Sequence, residues 1–220
     1  MKNTIITIDG PSGTGKSTVA RVVAKKLGFL FLDTGALYRA AALAVDMQHA
    51  DINNNAICGQ IISQIDICFL GGKVLLNRRD ITSDIRSNHI SSLASKIAVH
   101  PTVRKKLLDV QRSFALKRSL VIEGRDTGSI VFPDADIKLF LDASLQERAR
   151  RRHLELKTKR MDIAYNKVLK DMEKRDQRDA SRVHSPLIIP EHAFVVDTTH
   201  MTLDGVIQEV MKIIRERLAD

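Results

Sequence analysis

Aromatic residues are scarce, at 4% of 220 residues, with two Tyr, seven Phe and no Trp. Proteins that hold single-stranded nucleic acid usually stack bases on aromatic rings. The scarcity therefore argues against that class, despite a formal net charge of +9 and a pI near 9.7. Cysteine is almost missing too. Cys58 and Cys68 match no metal-ligand spacing and form no disulfide framework, which fits a reducing compartment and a cytoplasmic location. There is no run of about 18 apolar residues and no charged start leading into an apolar stretch, so neither a membrane span nor a signal peptide is expected. Internal repeats and low-complexity tracts are also lacking. What remains is 44% hydrophobic and 28% charged, the balance of a globular protein able to bury one substantial core.

Glycine is placed with purpose near the start. Gly10-Pro11-Ser12-Gly13-Thr14-Gly15-Lys16-Ser17 fits the phosphate-binding template G-x-x-x-x-G-K-[ST] at every fixed position. A β-branched run, Thr4 to Asp9, precedes it as a buried strand, and Thr18 to Leu27 follows at helical spacing, with Gly28 as a stop. Gly10, Gly13 and Gly15 free the backbone so that its N–H groups can face phosphate oxygens, with the helix N-terminus behind them. Lys16 brings a mobile charge to the outer phosphates, and Ser17 offers a hydroxyl to Mg²⁺.

The chain then alternates. Phe29–Leu32 predicts a second strand ending in Asp33-Thr34-Gly35, with Thr34 as the N-cap of a helix from Ala36 to about Met47. Residues 51–64 read as a loop and a short helix. Residues 66–81, with a Gly71-Gly72 turn, read as a small antiparallel meander. Helices follow over 82–97 and 102–117, the second opened by Pro101. Ser119–Ile122, Asp136–Leu141 and Phe194–Asp197 predict three more strands. Ser144 to about Arg178 is helical with a break between Leu156 and Asp162, and 202–218 forms a terminal helix. Such alternation implies a parallel sheet. From Gln146 to Arg182, 13 Lys and Arg stand against 7 Asp and Glu, a concentration that suits a phosphate-rich small substrate. The seven histidines are scattered and predict surface or capping roles.

Four blocks carry a resemblance. They are Gly10 to Thr18, Leu32 to Arg39, Glu123-Gly124-Arg125-Asp126-Thr127-Gly128 through Pro133, and Arg175 to Arg182 with Pro186-Leu187 after it. Together the chain resembles the bacterial cytidylate kinases from end to end, with Leu37 and Ser129-Ile130 as conservative departures. The resemblance implies an α/β P-loop NTPase fold, three-layered, with a five-stranded parallel sheet. It implies a single domain over 1–220, with a core at about 1–35, 98–147 and 180–220. A monophosphate-binding insertion at about 36–97 would carry the small antiparallel sheet, and a lid near Arg148 to Asp162 would, with its flanking helices, occupy about 148–179. It implies transfer of a phosphoryl group from ATP, with Mg²⁺, to CMP or dCMP. Gly10, Pro11, Ser12, Gly13, Thr14, Gly15, Lys16, Ser17 and Thr18 would bind ATP. Arg39, Arg125 and Arg182 would grip the acceptor phosphate. Ser95, Arg104 and Asp126 would read cytosine, and Arg175 and Asp179 would lie near the sugar, with Thr34 also lining the CMP site. Lys16, Arg125, Arg182 and Arg39 would form the catalytic charge. The expected partners are the two small nucleotides, with neither nucleic acid nor membrane, and a monomer is expected.

The chemistry is coherent without a family name. Donor and acceptor phosphates repel, at about 4 kcal/mol per unit-charge pair at ~4 Å and an effective dielectric of about 20. Several fixed cations must offset this, and planar arginines hold two oxygens at once. Arg175, Asp179 and Arg182, spaced i, i+4, i+7, could share one helical face. Kinases for another nucleoside monophosphate, and a nucleic-acid-dependent NTPase, are the competing readings. Replacing Lys16 by Ala should lower turnover by roughly a hundredfold or more and leave the circular dichroism spectrum unchanged. Wild-type kcat in that variant would remove the loop from the mechanism.

Overall fold

The computed structural model describes residues 3–70, 72–116, 118–158 and 160–219. Gly71, Lys117 and Lys159, which the sequence places in the meander turn, at a helix end and in the helical break, lie outside that set. The described chain divides into two compact units, residues 1–31 with 118–220, and residues 32–117.

The first unit is built on parallel strands. β1 (Ile5–Asp9) pairs with β6 (Leu120–Glu123) on one side and with β7 (Ile137–Asp142) on the other, and β7 pairs with β8 (Phe194–Asp197). β2 (Leu30–Asp33) completes a five-stranded sheet of order β2-β6-β1-β7-β8. Ile6, Ile8, Leu120, Val121, Ile122, Leu139 and Leu141 are fully buried, as expected of short apolar strands in a parallel sheet. Two amphipathic helices supply the other half of this core. Val19, Ala20, Val23 and Ala24 of α1 (Lys16–Leu27) and Val206, Val210, Met211 and Ile214 of α8 (Leu203–Ala219) cluster with the strand residues. Gly28 ends α1 at φ 68°, and its N–H donates to the Ala24 and Lys25 carbonyls. α6 (Leu145–Thr158) and α7 (Tyr165–Ala180) pack on each other through Ala149, Leu156, Val168 and Met172.

The second unit contains α2 (Thr34–Met47), α3 (Asn55–Ser63), α4 (Asn88–Ile97), α5 (Pro101–Ala115) and an antiparallel sheet. The sheet is the expected meander, β3 (Ile67–Leu70), β4 (Lys73–Leu76) and β5 (Arg79–Asp80). Its core runs from Leu37, Ala40, Ala41 and Val45 of α2 to Ile97, Val103 and Leu107. α5 belongs to this unit, through a bond from Thr102 Oγ1 to the Asn55 carbonyl, 2.8 Å, although it lies outside the 36–97 span assigned to the insertion from sequence.

Several boundaries differ from expectation. Asp33, not Thr34, caps α2. Its Oδ1 accepts from the Ala36 N–H at 2.7 Å, and Thr34 is the first helical residue. A carboxylate is at least as good a cap as a hydroxyl and adds a charge at the positive helix end. The helix expected over 82–97 is split into a 3₁₀ turn (Asp84–Arg86) and α4, because Ser87 adopts extended φ/ψ and its Oγ accepts from the Ile90 N–H. His100 is the N-cap residue of α5, the capping position expected of some histidines, but it is buried and its side chain makes no bond to its own helix, with Nε2 2.9 Å from the Ile52 carbonyl instead.

Ile8 is fully buried between two strands and beside α1. Ile8→Ala should cost about 2–5 kcal/mol, read as a lower urea midpoint with unchanged slope.

Candidate active site

The ends of β1 and β6 and the helices α1, α6 and α7 bring together the expected residues of the first unit. β1 ends in Asp9, and the glycine loop follows. Gly10 sits at φ 145°, where an added Cβ would lie 2.0 Å from the Leu141 carbonyl oxygen, so no side chain fits. Gly15, at φ 92°, turns the chain into α1. Lys16 is only 5% exposed, and its Nζ donates to the Pro11 carbonyl at 2.8 Å. Burial pushes its ammonium down to about 7. Arg125 and Arg175 push the same way, and Glu123 and Asp9 pull against them. A polyanionic ligand beside Nζ would restore the charge. Ser17 Oγ donates to Glu123 Oε1 at 2.6 Å, at the buried end of β6. Those two hard oxygens suit Mg²⁺, which keeps several water and phosphate ligands and needs few from protein. Among the described residues there is no cluster of three or more His, Cys, Asp or Glu side chains that could hold a metal by itself.

The loop after β6 brings Arg125, Asp126 and a single π-type turn over Thr127–Val131. Asp126 is buried. Asp9 is buried completely, and its carboxylate accepts from Thr127 N–H (2.9 Å), Thr127 Oγ1 (2.8 Å) and Gly128 N–H (2.7 Å). Burial drives the Asp9 carboxyl up to about 6. These three bonds oppose the rise, and the neighbouring Asp126 charge adds to it.

α7 supplies the counter-charge. Arg125 Nε donates to Asp179 Oδ2 at 3.1 Å, Arg182 Nη2 donates to Asp179 Oδ1, and Arg175 Nε lies 4.0 Å from Oδ2. Burial alone would raise the Asp179 carboxyl, but the Arg125, Arg182 and Arg175 charges hold it below the usual carboxylate range. Because α7 ends at Ala180, Arg182 lies beyond the helix, and one helical face does not present all three residues. The carboxylate joins them instead.

α6 braces the glycine loop. Arg148 is 7% exposed and donates to the Ala143 carbonyl (2.8 Å), the Ser12 carbonyl (3.2 Å) and Asp176 (2.5 Å). Arg151 donates to the Thr14 carbonyl at 3.4 Å and to Thr198, whose carbonyl accepts at 2.6 Å. Arg175 Nη1 reaches Ser12 Oγ at 3.4 Å.

The remaining expected residues belong to the second unit. Thr34 is buried at the start of α2, and Arg39, one turn on, pairs with Asp33 at 3.3 Å. Arg104 on α5 lies over the Tyr38 ring, 5.6 Å from its centre, and donates to the Ala98 carbonyl at 3.1 Å. Ser95 is buried on α4.

Asp9, Glu123, Arg148, Arg151 and Thr198 were not singled out from sequence as site residues. Asp9 and Glu123 carried a signal, since both are carboxylates at the C-terminal ends of apolar strands, where ligands bind in open sheets. Arg148 and Arg151 were hidden in a basic run that looks like solvated helix surface.

A family model described as Cytidylate kinase matches residues 6–216. The cytidylate kinase of Carboxydothermus hydrogenoformans is 43% identical over 213 residues, covering 95% of this chain and 96% of that protein. That of Caldanaerobacter subterraneus is 44% identical over 211 residues, covering 96% and 94%. Among solved structures, an uncharacterized protein from Eubacterium ventriosum shares the fold at TM-score 0.55 and 13% identity, covering 98% of this chain and 99% of that one. A Thermus thermophilus protein does so at TM-score 0.51 and 21% identity, covering 99% of each.

The geometry around Asp179 has a pH signature. Its depressed pKa means that its contribution is present above the unfolded carboxylate value of about 3.9 and is lost as pH falls through the lower folded value. Asp179→Asn should cost about 3–5 kcal/mol at pH 7, since it leaves buried arginines uncompensated. Urea melts should show the gap to wild type narrowing only below pH 4.

Proposed function

The chain belongs to the cytidylate kinase family, and on that premise we propose that it transfers the γ-phosphoryl group of ATP to CMP or dCMP, giving ADP and CDP or dCDP. The observation that carries the reading is the near-full-length match over residues 6–216. In this reading the glycine loop and Lys16 take the donor phosphates. Mg²⁺ would be held by Ser17 and Glu123 together with the nucleotide, and would neutralise phosphate charge. Arg39, Arg125 and Arg182 take the acceptor phosphate. Ser95, Arg104 and Asp126 read the cytosine, and Thr34, Arg175 and Asp179 complete the acceptor site.

The chemistry asked of the protein is positioning and charge compensation. An ionised acceptor phosphate attacks directly and needs no general base. Arg125, Arg175 and Arg182 are already gathered on one carboxylate, so little reorganisation is needed when phosphate oxygens arrive. Keeping water from the γ-phosphate falls to a lid near Arg148 to Asp162, which we place with its flanking helices at about 148–179, with the monophosphate-binding insertion at about 36–97 and the core in the remainder. No described helix is long and apolar enough to cross a membrane. We read the protein as a cytoplasmic monomer acting on small molecules rather than on nucleic acid.

Steady-state assays with Mg²⁺ATP against CMP, dCMP, UMP and AMP test this. CMP and dCMP should give the highest kcat/KM, and UMP or AMP above both would reject it. Asp126→Ala should lower the CMP-to-UMP ratio by about tenfold, the value of one lost polar contact to a base, and change the KM for ATP far less.

A further inference from the structure

We infer that Asp9 is a positioning residue that sets the spacing between the donor loop and the loop carrying Arg125 and Asp126. The β1–β6 ladder runs through Ile8 opposite Glu123, and its last bond goes from the Gly124 N–H to the Ile8 carbonyl, 3.1 Å. Beyond that point the two chains part, and main-chain pairing no longer fixes one against the other. The Asp9 carboxylate takes over. It receives two N–H groups and one hydroxyl from Thr127 and Gly128, all within 2.9 Å.

Both partners of this junction are closely packed. On the donor side, Asp9 is followed by Gly10, which packs so closely on β7 that a Cβ would meet the Leu141 carbonyl at 2.0 Å. On the other side, Gly128 lies where a Cβ would be 2.7 Å from Thr7 Oγ1. The Asp126 carbonyl accepts from the Ile130 and Val131 N–H groups, so the π-type turn and residues 125–126 move together. Asp9 is fully buried and Lys16 nearly so, and water has little access to substitute for a lost bond. A shift of the 125–128 loop relative to the glycine loop would change the distance between the two phosphates being joined. A misplacement of about 1 Å costs roughly a hundredfold in such a reaction.

The inference rests on the reading that this loop meets the acceptor nucleotide. Asp9→Asn keeps an acceptor toward Thr127 but turns an amide N–H group toward the Gly128 N–H. Kinetics with ATP and CMP varied separately should show kcat/KM for CMP falling about 30- to 300-fold, with the KM for ATP within about threefold and the CMP-to-UMP ratio reduced. Thr127→Val, which replaces only the hydroxyl donor by a methyl group, should give the same pattern at about 3- to 10-fold and decides the matter if Asp9→Asn does not fold. Wild-type acceptor kinetics in the folded variant, or a rise in the KM for ATP as large as that in the KM for CMP, would overturn the inference. Wild-type enzyme that ignores CMP but phosphorylates another monophosphate would reject the proposed substrate alone. The same donor-against-acceptor split, measured with that monophosphate, would still decide the role of Asp9.

Discussion

Guanidinium groups repel one another, and a phosphate-transfer site needs several in one place. Two unit charges at about 4 Å cost about 4 kcal/mol at an effective dielectric of about 20. Asp179 resolves this. It is 2% exposed at its side chain and lies beside Arg125, Arg175 and Arg182. A buried carboxylate is costly by itself, and each arginine beside the others would be costly too. Together they satisfy one another, and the protein can fold with its positive charge already gathered. The charge is then preorganised, so the work of assembling it falls on folding and not on the chemical step.

The sheet determines where that charge can sit. β1 and β6 are parallel neighbours, so their C-terminal ends open on the same side. The glycine loop leaves one and Arg125 leaves the other. Asp9 and Glu123, the last residues of these strands, are both buried and both bonded to the functional loops, Asp9 to Thr127 and Gly128 and Glu123 to Ser17. Each loop is thus tied to the end of the neighbouring strand. Arg148 and Arg151 do the same from α6, gripping the Ser12 and Thr14 carbonyls.

Much of this was legible in the letters because particular residue types have few alternatives. Only glycine tolerates the backbone at positions 10 and 15, and only an apolar run fits β1 or β6. The period-two meander stood out from its helical surroundings for the same reason. Other features depend on contacts between distant residues. Asp33 and Thr34 are both good caps, and the difference lies in which backbone angle the strand end imposes. Ser87 splits a stretch that reads as continuous helix. Arg148 and Arg150 are two positions apart in one basic run, yet the first is buried on Ser12 and the second is a surface partner of Glu147. His100 likewise owes its burial to Ile52, 48 residues away. Composition does not distinguish these cases, since each is settled by a partner remote in sequence.

The two apolar interiors have no residue in common. One gathers strands β1, β6, β7 and β8 with α1 and α8, and the other gathers α2 to α5 with the small sheet. A large-to-small change in either is therefore felt first by the side chains it packs against there, and its cost is set by how far those can close on the space left.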